Sequence, residues 1–159
     1  MHDTSMDMMG RHLNRVDLTG KRVLDIGSLD LNGNYRGLIE GRGGDYAGLD
    51  LVGGQNVDVI ARGSYDYPID SGSLDVAISG SVMEHVEAPW LWVPELARML
   101  RPAGFLAIVT HWQWEIHRFP VDCWRFLPDG MNYLLEPDFD RIEITLDDDG
   151  TIAASAFRR

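Results

Sequence analysis

The feature that most constrains this chain is a series of short apolar runs that alternate with polar, glycine-rich or helix-like segments. Such runs are typical of strands that are buried on both faces of a parallel sheet. Five of them occur, at 22–26, 45–50, 57–60, 74–79 and 105–110. Helical patterns are found at 35–40, at 90–100 and, with Asp129 as its predicted N-cap, at 129–135.

The remaining segments complete the predicted topology. Residues 101–104 break the helical pattern, and the aromatic, aperiodic stretch 111–128 predicts a loop. An Asp-rich turn between 141–146 and 151–157 predicts a β-hairpin at the end of the chain. We therefore predict the α/β class: one domain over residues 1–159, with an open, mostly parallel seven-stranded sheet, helices on both faces and a C-terminal antiparallel hairpin.

Charge and hydropathy exclude several classes of partner. The 159 residues carry 14 basic and 25 acidic side chains, a net charge of −11, which would repel the phosphates of a nucleic acid. No run approaches the roughly 20 apolar residues of a membrane span, and the first residues lack the apolar core of a signal peptide. We expect a soluble, cytoplasmic protein without nucleic-acid or membrane partners.

Two residues fit two interpretations: an adenosine-containing cofactor, or no more than a tight turn beside an acid that ends a strand. Gly27 ends the first predicted strand and allows a sharp turn, and Asp50 ends the second, where a carboxylate can accept hydrogen bonds from a ribose diol. Leu29 stands where the second glycine of the dinucleotide fingerprint G-x-G-x-x-G would fall. The turn after the first strand is therefore a poor binding site for a pyrophosphate, which disfavours NAD and FAD and favours S-adenosylmethionine.

Four blocks resemble, in order and spacing, the class I S-adenosylmethionine-dependent methyltransferases, whose fold is Rossmann-like. The first joins KRVLDIGSLDLNGNYRGLIEG to YAGLDLVGGQNVDVIA, and the others are SGSLDVAISGSVMEHV, ELARMLRPAGFLAIVT and HRFPVDCWRFLPDGM. The glycine loop that continues into an Asp-x-Asn-Gly turn is similar to that of a small bacterial branch. The blocks cover about Lys21 to Met131 and say little about the methyl acceptor.

The resemblance implies a set of cofactor-binding residues along the carboxyl edge of the sheet. The methionine end would be lined by Asp25, Gly27 and Ser28, with Asp25 near the ammonium, and Asn32 and Gly33 would complete that wall. Asp50 would hold the ribose hydroxyls, and Leu51, Gly63 and Ser64 would surround the adenine. Ser79 and Gly80 would face the methyl-transfer centre.

One position departs from the family pattern. Arg62 stands where an acid that binds the adenine amino group is common in the family. A guanidinium has no acceptor for that hydrogen bond. We expect Ser64, Asp66 or backbone carbonyls to accept it instead.

The candidate catalytic groups are histidines, because a hydroxyl acceptor needs a base that titrates near neutral pH. They are His85, next to the carboxylate Glu84, then His111, directly after the fifth predicted strand, and His117, in the aromatic loop with the carboxylate Asp122. The pair Glu84–His85 and the segment with His117 and Asp122 each have a structural alternative. Glu84 and His85 would pack beside the cofactor at a helix start, and Asp122 would pair with Arg125.

The aromatic loop adds a second pair of alternatives. Trp112, Trp114 and Trp124 would either form a wall for a sugar or aromatic acceptor or make up the loop core or a dimer contact. No spacing typical of metal ligands stands out, so the sequence predicts no metal site. Little chain is left for acceptor recognition, so we expect a site that is open or completed by the second subunit of a homodimer.

The sequence predicts an enzyme that transfers a methyl group from S-adenosylmethionine to a small molecule, such as a sugar or another hydroxyl-bearing metabolite. One alternative is a catalytically inactive binding module of the same fold, motivated by Arg62. Another is an NAD-dependent or nucleotide-sugar oxidoreductase. The incomplete glycine fingerprint disfavours it, as does the single lysine, Lys21, which excludes a Tyr-x-x-x-Lys pair.

Overall fold

The computed structural model describes residues 3–159, and within them seven strands form one sheet in the order β3-β2-β1-β4-β5-β7-β6. The strands are β1 (Arg22–Ile26), β2 (Asp45–Asp50), β3 (Val59–Ile60), β4 (Leu74–Gly80), β5 (Leu100–His111), β6 (Phe139–Leu146) and β7 (Thr151–Arg158). Strands β1 to β5 pair in parallel, and β7 runs antiparallel to both β5 and β6. The predicted mixed sheet with a C-terminal hairpin is confirmed.

Helices cover both faces of the sheet. They are α1 (Asp3–His12), α2 (Arg36–Glu40), α3 (Pro89–Met99) and α4 (Pro128–Leu135), with 3-10 turns at Leu13–Arg15 and Met83–His85. Alternate residues of the central strands point to opposite faces, so Val76 packs with the α1–α2 core and Ala77 with the α3–α4 core. Each core is a continuous cluster of buried side chains, which holds the carboxyl edge of the sheet in place.

The predicted strand limits are accurate for β1 and β2 and less so elsewhere. Strand β3 is shorter than predicted, and β5 extends back to Leu100 because the expected break at 101–104 is a bulge between the pairs Leu74–Leu100 and Val76–Phe105. Asp129 was predicted as an N-cap, but it lies inside α4, whose N-cap is Leu127 and has no side-chain capping bond. Helix α1 was not predicted.

A buried histidine connects α1 to the C-terminal hairpin. His12 is 2% exposed, and its Nδ1 and Nε2 lie 2.6 Å from Ser155 Oγ and 2.7 Å from Thr145 Oγ1. Burial lowers its pKa. Both ring nitrogens are therefore used by neighbouring hydroxyls, and the residue is part of the packing.

The five parallel strands end at one edge of the sheet, with Ile26, Asp50, Ile60, Gly80 and His111 as their last residues. The chain reverses its direction of winding between β1 and β4, which are adjacent. Open α/β sheets bind ligands at such a point, beyond the carboxyl ends of the strands. Within residues 3–159, none of the helices combines the length and the hydropathy needed to span a bilayer.

Candidate active site

Gly27 and Asp50 lie next to each other at the carboxyl edge. The backbone N–H groups of Gly27 and Ser28 donate to the carbonyl of Leu49 over 2.8 and 3.1 Å. The N–H of Leu29 donates to Asp50 Oδ2 over 3.0 Å. Gly27 has a φ of +81°, a conformation that favours glycine. The turn after β1 and the acid that ends β2 are therefore joined directly, as the sequence analysis required.

The space beside two of the predicted cofactor glycines is taken by the protein's own side chains. A Cβ at Gly27 would collide with the side chain of Val82, and one at Gly80 would collide with the ring of Tyr35. Ser79 is 1% exposed, and its hydroxyl donates to the carbonyl of Ile26 over 2.8 Å. These residues thus tie β4 and the following turn to β1 and α2.

Asp25 is a buried carboxylate with a neutral partner. It is 3% exposed, and Tyr46 donates its hydroxyl to Asp25 Oδ2 over 2.7 Å. Burial raises the pKa of Asp25 to about 7, although the Tyr46 hydrogen bond acts in the opposite direction. The carboxyl group is therefore poised to ionise when a cation comes close.

Asn56, which has no sequence motif, holds this corner together. Its side-chain NH₂ donates to the carbonyl of Ser28 over 2.9 Å and to the hydroxyl of Tyr46 over 2.7 Å. Its Oδ1 accepts from Arg36 Nε over 2.8 Å, and its carbonyl accepts from Ser28 Oγ over 3.1 Å. Ser28 is consequently occupied by this network, and the network fixes the orientation of Tyr46 against Asp25.

The remaining predicted cofactor residues lie around the same rim. Asn32 and Gly33 are exposed in the turn after β1, where the Gly33 N–H donates to Asp30 Oδ1 over 2.8 Å. Leu51 is 53% exposed beside Asp50, and Ile60, which pairs with Asp50, is 58% exposed. Two apolar side chains are therefore available to a ligand next to this carboxylate.

The segment after β3 contains the residues predicted to bind adenine. Gly63 forms an isolated antiparallel bridge with Asp66, and the carbonyl of Ser64 accepts from the Tyr67 hydroxyl over 3.1 Å. Arg62 forms an exposed ion pair with Asp66 over 3.8 Å. The Ser64 side chain is exposed. The segment is ordered by its own turn, with Arg62 directed to an acid of the protein.

The three candidate histidines converge on Glu84. This residue is fully buried in the 3-10 turn after β4, and its Oε2 accepts the Thr110 hydroxyl over 2.7 Å. Its Oε1 lies 3.5 Å from His111 Nε2, 3.8 Å from His117 Nε2 and 3.9 Å from His85 Nε2. We call these four residues the Glu84 cluster. Its members come from the 3-10 turn after β4, from the end of β5 and from the loop after β5, an arrangement that the sequence spacing does not reveal.

The loop at 112–127 is fastened to the body at both ends. The Trp112 N–H donates to the Gly150 carbonyl over 2.9 Å, and the Phe126 N–H donates to the His111 carbonyl over 3.0 Å. Between these points the carbonyl of Glu84 accepts the Cys123 N–H over 2.8 Å. The loop therefore closes directly over the Glu84 cluster.

The predicted pairing of Asp122 with Arg125 is confirmed. The guanidinium binds both carboxylate oxygens of Asp122, over 2.6 and 2.7 Å, and holds the pKa of that acid well below its usual range. Asp122 Oδ2 also accepts a hydrogen bond from the backbone N–H of His117 over 2.8 Å. Asp122 thus orients the loop around His117.

The three loop tryptophans contact different parts of the protein. Trp112 donates its indole N–H to the Asp147 carbonyl over 3.1 Å, and Trp114 stacks on His111 with ring centroids 4.7 Å apart. Trp124 donates to the Val86 carbonyl over 2.9 Å and meets Trp90 edge to face. The pair Trp90 and Trp124 lines a groove of about 700 Å³.

Comparison with known proteins adds independent support for the fold. A family model described as a methyltransferase domain matches residues 24–108. A protein of Mycobacterium sp. (strain KMS), described as an uncharacterized methyltransferase, is 34% identical over 107 residues, which are 60% of this chain and 40% of that protein. The chain therefore spans about two fifths of the length of that relative.

Solved structures share the architecture at low sequence identity. A SAM-dependent methyltransferase from Archaeoglobus fulgidus superposes with a TM-score of 0.73 at 15% identity, over 97% of this chain and 95% of that one. Phosphoethanolamine N-methyltransferase 2 from Haemonchus contortus, solved with S-adenosyl-L-methionine, also gives 0.73, at 12% identity over 98% of this chain and 52% of that one. At these identities the likeness concerns the fold alone.

Proposed function

Because this chain belongs to the methyltransferase-domain family, we propose that it binds S-adenosylmethionine and transfers the methyl group to a small hydroxyl-bearing molecule. One observation carries the proposal. The turn at Gly27 and the carboxylate of Asp50 lie side by side at the switch point of the sheet, joined by the hydrogen bond from the Leu29 N–H to Asp50. The family and its solved neighbours support S-adenosylmethionine as the cofactor.

The residues present fit this cofactor. Asp25 is a buried carboxylate whose observed partner at Oδ2 is a neutral hydroxyl, and it suits an ammonium group. Asp50 is half-exposed, and each carboxylate oxygen has two lone pairs, so capacity remains for ribose hydroxyls. Leu51 and Ile60 offer apolar surface for adenine. Val82 is half-buried against Gly27, and we expect its side chain to turn aside when the methionine end binds.

When bound, S-adenosylmethionine supplies a methyl group on a sulfonium, and the protein aligns an acceptor with it. We place the acceptor between Gly80, at the end of β4, and the Glu84 cluster. The side chain of His117 is 25% exposed and that of His85 15%, against 4% for His111. His117 is therefore the histidine that an acceptor hydroxyl reaches most easily, with Asp122 as its positioning residue.

Calorimetric titration with S-adenosylmethionine, S-adenosylhomocysteine and NAD tests the cofactor. We expect the first two to bind and NAD to give no heat. Asp50→Ala should weaken binding by about 1.5–3 kcal/mol, because the lost hydrogen bonds involve a charged acceptor. Asp45→Ala is the matched control, since Asp45 is an exposed acid at the other end of β2.

Two results would contradict the cofactor assignment: NAD binding in place of S-adenosylmethionine, or equal affinities of the wild type and the Asp50→Ala variant. An acceptor site that is either open or completed by the second subunit of a homodimer is a separate prediction, which a measurement of mass in solution tests. A methyl-transfer assay over a panel of small hydroxyl compounds tests the acceptor class.

A further inference from the structure

We propose that the Glu84 cluster is a binding site for a divalent first-row transition-metal ion, with Glu84, His85 and His117 as ligands and His111 as a neighbouring fourth nitrogen. Each of the three ligands offers one atom, and these atoms all lie within 4.8 Å of one another. The site stands on these residues alone and does not depend on methyl transfer. Imidazole and carboxylate donors of this kind suit zinc and its neighbours in the first transition series.

The hydrogen bonds of two histidines show which ring nitrogen carries the proton in the neutral imidazole. His85 Nδ1 lies 2.6 Å from the carbonyl of Val121, and His117 Nδ1 lies 3.1 Å from the carbonyl of Glu115. A carbonyl only accepts, so Nδ1 carries the proton in both rings. In the neutral imidazole the Nε2 atom then holds a lone pair, and in both rings that atom faces Glu84 Oε1. These contacts are the outer partners that orient metal-binding histidines in proteins.

With both imidazoles neutral, the centre of the cluster has acceptors and lacks a donor. Glu84 Oε1 is buried and makes no hydrogen bond within residues 3–159, although Oε2 is bonded to Thr110. A buried carboxylate oxygen without a donor is costly, and unprotonated Nε2 atoms beside it cannot relieve that cost. A cation between these atoms would satisfy all of them at once.

The distances suit an ion after a small contraction. Ligand atoms at about 2.0–2.2 Å from a tetrahedral zinc ion lie roughly 3.2–3.6 Å apart. The distances from Glu84 Oε1 to the Nε2 atoms of His111, His117 and His85 are 3.5, 3.8 and 3.9 Å. His85 and His117 are partly exposed, so an oxygen of an acceptor could reach an ion held between them.

Such an ion would change how the acceptor hydroxyl is activated. A bound divalent ion lowers the pKa of a coordinated hydroxyl, which removes the need for a free imidazole base. His117 would then act as a ligand, oriented by Asp122 from behind. This consequence rests on the proposed function, whereas the metal site does not.

Titration of the chelator-treated chain with Zn²⁺ alone tests the site by calorimetry. We expect one ion per chain and a loss of affinity of at least about tenfold in Glu84→Gln and in His117→Gln. The second variant changes a side chain that is 25% exposed, so it keeps the test valid if loss of the buried acid prevents folding. Cys123→Ser is the matched control, because Cys123 is an exposed thiol next to the cluster.

X-ray absorption at the zinc edge supplies a readout besides affinity. We expect nitrogen and oxygen ligands at about 2.0–2.2 Å and no sulfur. Three results would each overturn the proposal: no zinc binding, zinc binding that survives both variants, or sulfur in the ligand shell. Zinc binding without S-adenosylmethionine binding would support the site and reject the proposed function, and the reverse result would do the opposite.

Discussion

Asp25 and Glu84 are two buried carboxylates near the carboxyl edge of one sheet, and they differ in what surrounds them. The observed partner of Asp25 Oδ2 is the neutral hydroxyl of Tyr46, held by Asn56. Glu84 has the Thr110 hydroxyl on one oxygen and three imidazole nitrogens around the other. Under the two proposals above, the difference separates two kinds of cation: an ammonium that arrives with a cofactor at Asp25, and a metal ion held at Glu84.

The largest expected effect concerns the charge of Asp25. Its folded pKa of about 7 exceeds its unfolded value, so its contribution to stability is full below about pH 4 and is lost as the pH rises to 7. At about 1.4 kcal/mol per pKa unit, the loss amounts to about 4 kcal/mol. Asp25→Asn should remove it, and urea unfolding of both proteins at pH 4 and pH 8 measures the difference.

The control for this prediction is Asp45→Asn, an exposed acid on the neighbouring strand. It should follow the wild-type pH profile. Parallel profiles for the wild type and Asp25→Asn would show that Asp25 ionises freely in the folded state, and the contrast with Glu84 would disappear.

The next effect compares a hydrogen bond to a buried carboxyl group with a hydrogen bond to a buried, neutral imidazole. Thr110→Val removes the donor to buried Glu84 and should lower the free energy of unfolding by about 1.5–3 kcal/mol. Thr145→Val removes a hydroxyl from neutral, buried His12 and should cost about 0.5–1.5 kcal/mol. Urea denaturation at one pH measures both, and equal costs would contradict the expected difference between the two sites.

The smallest effect concerns the partner of Asp25. Tyr46→Phe removes the hydroxyl that donates to Asp25 and accepts from Asn56, and so raises the pKa of Asp25 further. Because an ionised Asp25 attracts the ammonium, S-adenosylmethionine affinity should rise with pH, and the rise should shift to higher pH in the variant. Calorimetry across pH 6–9 measures this, with Tyr133→Phe, an exposed tyrosine, as the control.

The sequence predicted the contact between the turn at Gly27 and Asp50 better than it predicted the Glu84 cluster, for a physical reason. Gly27 and Asp50 end consecutive parallel strands, so a local pattern places them side by side. Asn56 and Tyr46 carry no motif, because their roles depend on a loop folding back onto β2. The Glu84 cluster joins residues from the turn after β4, the end of β5 and the loop after β5, so no sequence spacing predicts it.

Local signals also explain the errors in the predicted elements. Residues 101–104 contain proline and glycine, which predicted a break, but the strand passes through them as a bulge with Ala103 at a φ of +59°. Helix α1 contains Gly10 and few helix signals, and it packs through Met8 and Met9 against the sheet. Tertiary packing outweighs weak local propensity in both segments.

The hydrogen bonds at the two ends of the loop at 112–127 have a consequence for protein engineering. Backbone hydrogen bonds hold both of its ends, at Trp112 and Phe126, and so do not depend on the side chains between them. The segment is therefore a suitable unit for chimeras, in which loops from related chains are exchanged while the turn after β1 and the end of β2 stay unchanged. Under the proposed function, such exchanges would vary acceptor preference separately from methyl-donor binding.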